Sequence, residues 1–282
     1  MYELLVQPFV EYAFMRRALF GAIFLSLIAA PLGVFLILRR LSLVSDAMTH
    51  AILPGVALGF FWVGNSILAM LLGGLISGLV VAMLAGFMSR YTSLKEDASF
   101  AAFYLISLGL GVLLISMRGT SVDLMHVLFG SILAMSDESL LLTMIISSLS
   151  ILILAIIYRL LVLDGFDPVF LRVELGRRSP VFTIFIILLV VNLVAGFQIL
   201  GTLMVVGIVI LPAITARFLG RTLGLQLIIA PLIGVVCQYI GLVISYGCDL
   251  PASATIILLN GMVAVLAMLF GPYGSAWRRY QS

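Results

Sequence analysis

Charge is what this sequence lacks most. Its 282 residues hold only 15 Lys and Arg and 12 Asp and Glu, 10% of the chain, against 63% hydrophobic residues. A water-soluble domain does not need that much apolar surface, and the mean hydropathy of +1.31 excludes one. Cysteine is nearly absent too. Cys237 and Cys248 are too few for a disulfide framework and match no zinc spacing, so they read as small apolar residues in or near helices. No Walker A lysine loop, GxSxG or HExxH stretch occurs, so ATP hydrolysis and hydrolytic catalysis are not expected of this chain. A linker, a low-complexity tract and a soluble domain are missing as well. The net charge of +3 is small, and nothing in its distribution asks for a nucleic-acid partner.

What is present is a succession of apolar runs of about 20 residues, the helix length that crosses a bilayer's hydrocarbon core. Long unbroken runs mean helices rather than alternating barrel strands. The sequence therefore predicts an all-α polytopic membrane protein, one transmembrane domain over 1–282, with eight or nine spans at about 18–38, 42–61, 66–88, 99–116, 139–158, 181–198, 201–216, 223–246 and 252–270. The break at 198–201 is short enough for a tight hairpin. The first fifteen residues, with Glu3 and Glu11 and no basic residue, do not resemble a cleavable signal peptide and read as an interfacial segment. With the C-terminus in the cytoplasm, alternation puts 12 of the 15 basic residues on the cytoplasmic side, including Arg39, Arg40, Arg90, Lys95 and Arg159. Only Arg16, Arg17 and Arg118 fall outside, as the positive-inside rule asks.

One span is chemically odd. LSLVSDAMTHAILPG, residues 41–55, carries Asp46 and His50 four residues apart, on one helix face. Counted from Arg40 at about 1.5 Å per residue, they lie on the order of 9 and 15 Å deep. Ionisable groups at that depth are costly and mark a functional site by default. Ser42 and Thr49 extend them into a polar stripe. Ala47, Ala51, Gly55 and Gly59 form an adjacent ridge of small residues, which lets two helix backbones approach closely. Pro54 has no N–H, so the carbonyl of His50 loses its helical donor and the helix breaks or kinks there. Interrupted helices near the midplane are a recurring device for ion sites in transporters. Imidazole plus carboxylate suits first-row divalent metals. A two-fold copy across the ridge would raise two ligands to four.

SDAMTHAILPGVALG, 45–59, resembles the signature of permeases in zinc/manganese ABC importers, roughly D-A-x-x-H-A-x-L-P-G-V-A, with Asp46, Ala47, His50, Ala51, Leu53, Pro54, Gly55, Val56 and Ala57 matching. VDLMHVLFGSIL, 122–133, and GTLMVVGIVILPAITARFL, 201–219, resemble further segments of that family. The cytoplasmic FDPVFLRVELG departs from the usual D-P-x-x-A-x-x-x-G by Leu171. The resemblance implies a type II-like permease fold, a homodimer in the bacterial cytoplasmic (inner) membrane, two copies of a separate ABC ATPase, and an extracytoplasmic metal-binding protein that delivers the ion. The transported Zn2+ or Mn2+ would pass Asp46 and His50. The chain itself would hold no resident cofactor, with ATP bound on the partner. Intrinsic affinities lean slightly to zinc, while the lack of a thiolate in the stripe removes the strongest pointer to it.

Other polar residues carry smaller expectations. Asp123 and His126, three apart in an outer segment, suit an entry site or a contact for the binding protein. The cytoplasmic segment at about 164–180 suits coupling to the ATPase: Asp167 caps a short helix opened by Pro168, Gly176 ends it, and Phe170 is its largest apolar group. Two other classes compete with the importer. One is a proton- or ion-coupled secondary transporter that uses Asp46–His50 as a relay; the other is a membrane scaffold without transport.

Overall fold

The computed structural model describes residues 6–64, 66–117, 135–166 and 181–273. Every regular element among them is an α-helix. A short α1 (Gln7–Glu11) precedes α2 (Ala13–Leu38), α3 (Ser42–Ala51), α4 (Leu53–Val63), α5 (Ile67–Tyr91), α6 (Glu96–Met117), α7 (Asp137–Phe166), α8 (Val181–Leu219), α9 (Leu223–Cys248) and α10 (Ala252–Phe270). Eight stretches are long and apolar enough to cross a membrane, α3 and α4 counting together as Ser42–Val63; Val181–Phe197 is a shorter apolar helix.

Local chemistry sets the ends. The Thr222 hydroxyl accepts the N–H of Leu225 at the start of α9, and Asp249 closes that helix in the left-handed region at φ 52°. Pro251 stands just before α10 as its cap residue. Gly64, at φ 77°, ends α4. Outward faces stay apolar along their length, as lipid requires: Leu68, Leu72, Ile76, Met83 and Phe87 on α5 and Leu141, Ile145, Leu149, Leu152 and Ile156 on α7 are all exposed.

Contacts group the chain into two compact units. The first takes in Met1–Ile37, Ser121–Ser147 and Ala195–Ser282. Its small residues draw helices together: Ala30, Val34, Ala213, Ala216 and Ala230 form a buried cluster. Arg17 of α2 pairs with Asp137 at the start of α7, 3.2 Å away. Gly201, at φ 77° and ψ 167°, interrupts α8. A Cβ on Gly196 would sit 2.8 Å from a Val205 methyl. Nine residues of continuous helix would hold those two positions on the order of 13 Å apart. The chain therefore reverses at Gly201.

The second unit, Leu38–Thr120 with Ser148–Val194, contains α3 to α6. Here α7 corrects a boundary. The sequence places the end of that span at 158, but the helix runs on to Phe166. The apolar pattern of LLVLDGF continues the helix, and its one charge, Asp164, is paired with Arg39, both side chains being largely buried. The Arg39 guanidinium also lies 4.7 Å over the Phe182 ring.

Candidate metal-handling site

The stretch 41–55 folds as two helices with a break between them. α3 ends at Ala51, Ile52 is a turn residue, and α4 starts at Leu53 with Pro54 in its first turn. Proline is accepted there because a first-turn N–H has no intrahelical partner. The N–H of Ile52 still reaches the Met48 carbonyl at 3.2 Å, and the N–H of Val56 reaches that of Ile52 at 3.1 Å. The Ala51 carbonyl instead accepts two hydroxyls from other helices, Ser77 of α5 at 2.7 Å and Ser107 of α6 at 3.0 Å.

Asp46 and His50 share the outward edge of α3. Nε2 of His50 stands 3.8 Å from Oδ1 of Asp46. That gap is too wide for a hydrogen bond. It is within the span of one ion, since bonds of about 2.0–2.2 Å from each ligand reach a little over 4 Å. The side chain of His50 is 25% exposed and that of Asp46 55%, so the pair is open on one side. The other ring nitrogen, Nδ1, is buried without a hydrogen-bond partner, and Tyr104 of α6 stacks on the imidazole with centroids 6.0 Å apart. Nε2 is thus the nitrogen that faces the carboxylate. The stripe is narrower than the sequence suggests. Thr49 is fully buried, and its hydroxyl bonds the Asp46 carbonyl at 2.7 Å. No group of three or more His, Cys, Asp and Glu able to hold a metal occurs among the described residues.

The small-residue ridge faces a different neighbour from the one a four-ligand shell requires. A Cβ on Gly55 would overlap the Gly73 carbonyl, and one on Gly59 would lie 2.8 Å from the Ala69 carbonyl carbon. Both neighbours belong to α5 of the same chain, while Ala47 and Ala51 are buried. By its sequence the ridge is open to packing two protomers or two helices of one protomer, and at Gly55 and Gly59 the neighbour is the second kind, α5 of the same chain. Asp123, His126, Asp167, Pro168, Phe170 and Gly176 lie outside the described residues. Ser77, Ser107 and Tyr104 escaped the sequence reading. The one local hint was that Ser77 follows Gly73 by four residues, on the glycine face of its helix.

A multi-pass helical protein with an ionisable pair at a helix break belongs to the class of membrane transport subunits. The pattern of the ABC 3 transport family matches residues 11–271, and the chain belongs to that family. It is 34% identical over 272 residues to the manganese transport system membrane protein MntC of Halalkalibacterium halodurans, covering 96% of this chain and 92% of the relative. It is 30% identical over 270 residues to the chelated iron transport system membrane protein YfeD of Yersinia pestis, covering 96% and 89%. Among solved structures, PsaBC from Streptococcus pneumoniae in complex with Fab superposes with a TM-score of 0.85 at 28% identity over the full length of both chains. Family membership makes the chain an ABC transport permease and displaces the secondary-transporter and scaffold alternatives.

Proposed function

We propose that this chain is the permease of a bacterial importer that moves manganese into the cytoplasm, with Asp46 and His50 handling the ion in transit. The observation that carries this reading is the pair itself: two ligand atoms 3.8 Å apart, on one face, at a break inside a membrane-spanning segment. The ligand chemistry is carboxylate and imidazole without thiolate, which suits manganese at least as well as zinc. The manganese system among the relatives moves the balance away from the slight lean to zinc that intrinsic affinity suggested. Two ligands do not complete a coordination shell. A second copy of this chain approaching the open side supplies further ligands, and the working unit is a homodimer. The chain alternates across the membrane with its C-terminus in the cytoplasm, which puts 12 of its 15 basic residues there. A separate ATPase supplies the energy and engages the segment around Asp167, Pro168, Phe170 and Gly176. An extracytoplasmic metal-binding protein delivers the ion, with Asp123 and His126 on its side of the membrane.

The test is uptake of radioactive manganese by cells that hold the intact importer. Asp46→Asn and His50→Ala should each abolish uptake at normal membrane levels. Wild-type uptake in both variants refutes the assignment. Competition by unlabelled manganese, zinc and ferrous iron identifies the cargo, and the iron arm tests the reading suggested by the iron-system relative.

A further inference from the structure

We propose that Ser77 and Ser107 are positioning residues of the metal-handling site: together they hold the break between α3 and α4 so that His50 is presented beside Asp46. This rests on the reading of Asp46 and His50 given above. In an unbroken helix the Ala51 carbonyl would accept the N–H of Gly55. Here it accepts hydroxyls at 2.7 and 3.0 Å from two different helices, and a carbonyl oxygen has two lone pairs. Both are filled from the side.

A serine in an apolar helix has an easier option. Its hydroxyl can return to the carbonyl four residues back, as the hydroxyls of Thr143 and Thr215 do here at 2.8 Å each. Ser77 and Ser107 instead reach across to the same atom, one residue beyond His50. Pro54 explains the need. It withholds an N–H from the carbonyl of His50, so the junction is not held by a continuous ladder along its own axis. Lateral hydroxyls replace that constraint. Tyr104 lies one turn before Ser107 on α6 and stacks on the imidazole, so α6 fixes both the backbone after His50 and the face of its ring. Movement of α5 or α6 would pass directly to the His50 ligand.

The arrangement is redundant, which shapes the test. Losing one hydroxyl leaves the carbonyl one donor; losing both leaves a buried carbonyl bare. In cells with the intact importer, Ser77→Ala and Ser107→Ala should each raise the half-saturating manganese concentration by about two- to threefold at most. The double variant should raise it by about thirtyfold or more, well beyond the roughly four- to ninefold product of the singles. Ser99→Ala is the control. Ser99 also bonds across helices, to the Ala85 carbonyl at 2.7 Å, and is buried like Ser107, but it lies far along the helices from His50. It should lower thermal stability and leave half-saturation unchanged. If the double variant is absent from the membrane, the Ser77→Cys, Ser107→Cys pair keeps the size and weakens both donors, and half-saturation should still rise several-fold. A double variant that behaves like Ser99→Ala, losing stability alone, overturns the proposal. Asp46→Asn and His50→Ala in the same assay separate the two readings. If they lose uptake while the serine pair does not shift half-saturation, only this inference fails. If they keep uptake, the site assignment fails and takes this inference with it.

Discussion

Gly55→Ala is the sharpest test of how the site is built, because the smallest possible addition meets backbone. A methyl at Gly55 would overlap the Gly73 carbonyl, sit 2.5 Å from its carbon and 2.6 Å from the Ser77 Cβ. Ordinary contact begins near 3.4 Å, so α4 and α5 must part by roughly 1 Å. Nothing flexible can give way, since the obstacle is main chain. From the other side, a Cβ on Gly73 would meet the Gly55 carbonyl carbon at 2.9 Å, so the same approach is blocked in both directions. Overpacking of this kind costs about 1–3 kcal/mol, and Gly55→Leu more. Parting α4 from α5 also draws Ser77 away from the Ala51 carbonyl, so manganese uptake should fall further than stability alone explains. The assay is a thermal challenge of the solubilised importer followed by size-exclusion chromatography, run beside uptake. Gly86→Ala is the control. A methyl there meets nothing within 4 Å, and the higher helix propensity of alanine should leave stability equal or about 0.5–1 kcal/mol higher. If Gly55→Ala matches Gly86→Ala in melting and uptake, the close approach of α4 and α5 is wrong.

Three more outcomes follow from particular contacts. Gly201→Ala places a side chain at φ 77° and ψ 167°, a region open to glycine alone, and should cost about 1–3 kcal/mol of thermal stability; an unchanged melting temperature would mean that the chain does not turn there in this way. Arg39→Met strands the largely buried Asp164 and should destabilise by about 3–5 kcal/mol, with most of the loss recovered in Arg39→Met, Asp164→Leu; a double variant as unstable as the single would show that the pair is not coupled. Phe170→Ala should weaken co-purification with the ATPase or release ATP turnover from manganese dependence while Asp46 and His50 still handle the ion; full co-purification with coupled turnover would exclude that segment as the coupling element.

Membrane class, helix positions and the place of the ionisable pair were legible in the sequence because each depends on neighbours along the chain. An apolar run either reaches across about 30 Å or it does not. Asp46 and His50 share a face because four residues make just over one helical turn. Pro54 interrupts the ladder whatever surrounds it. The break at 198–201 was visible too, as one short enough for a tight hairpin, though the sequence left eight or nine spans open. The end of α7 was misplaced because Arg159 and Asp164 looked like a loop until Asp164 met Arg39, 125 residues away.

The remaining features were decided by tertiary structure. A ridge of alanine and glycine states that some backbone will come close, but not which one, and α5 rather than a second copy proved to fill it at Gly55 and Gly59. The Ser107 hydroxyl finds the Ala51 carbonyl across 56 residues of sequence, and no local pattern marks a serine that bonds outward rather than back along its own helix. Periodicity and length act through the backbone of one helix. The partner of a buried polar group depends on which helices pack side by side, and that is settled only when all of them have found their places.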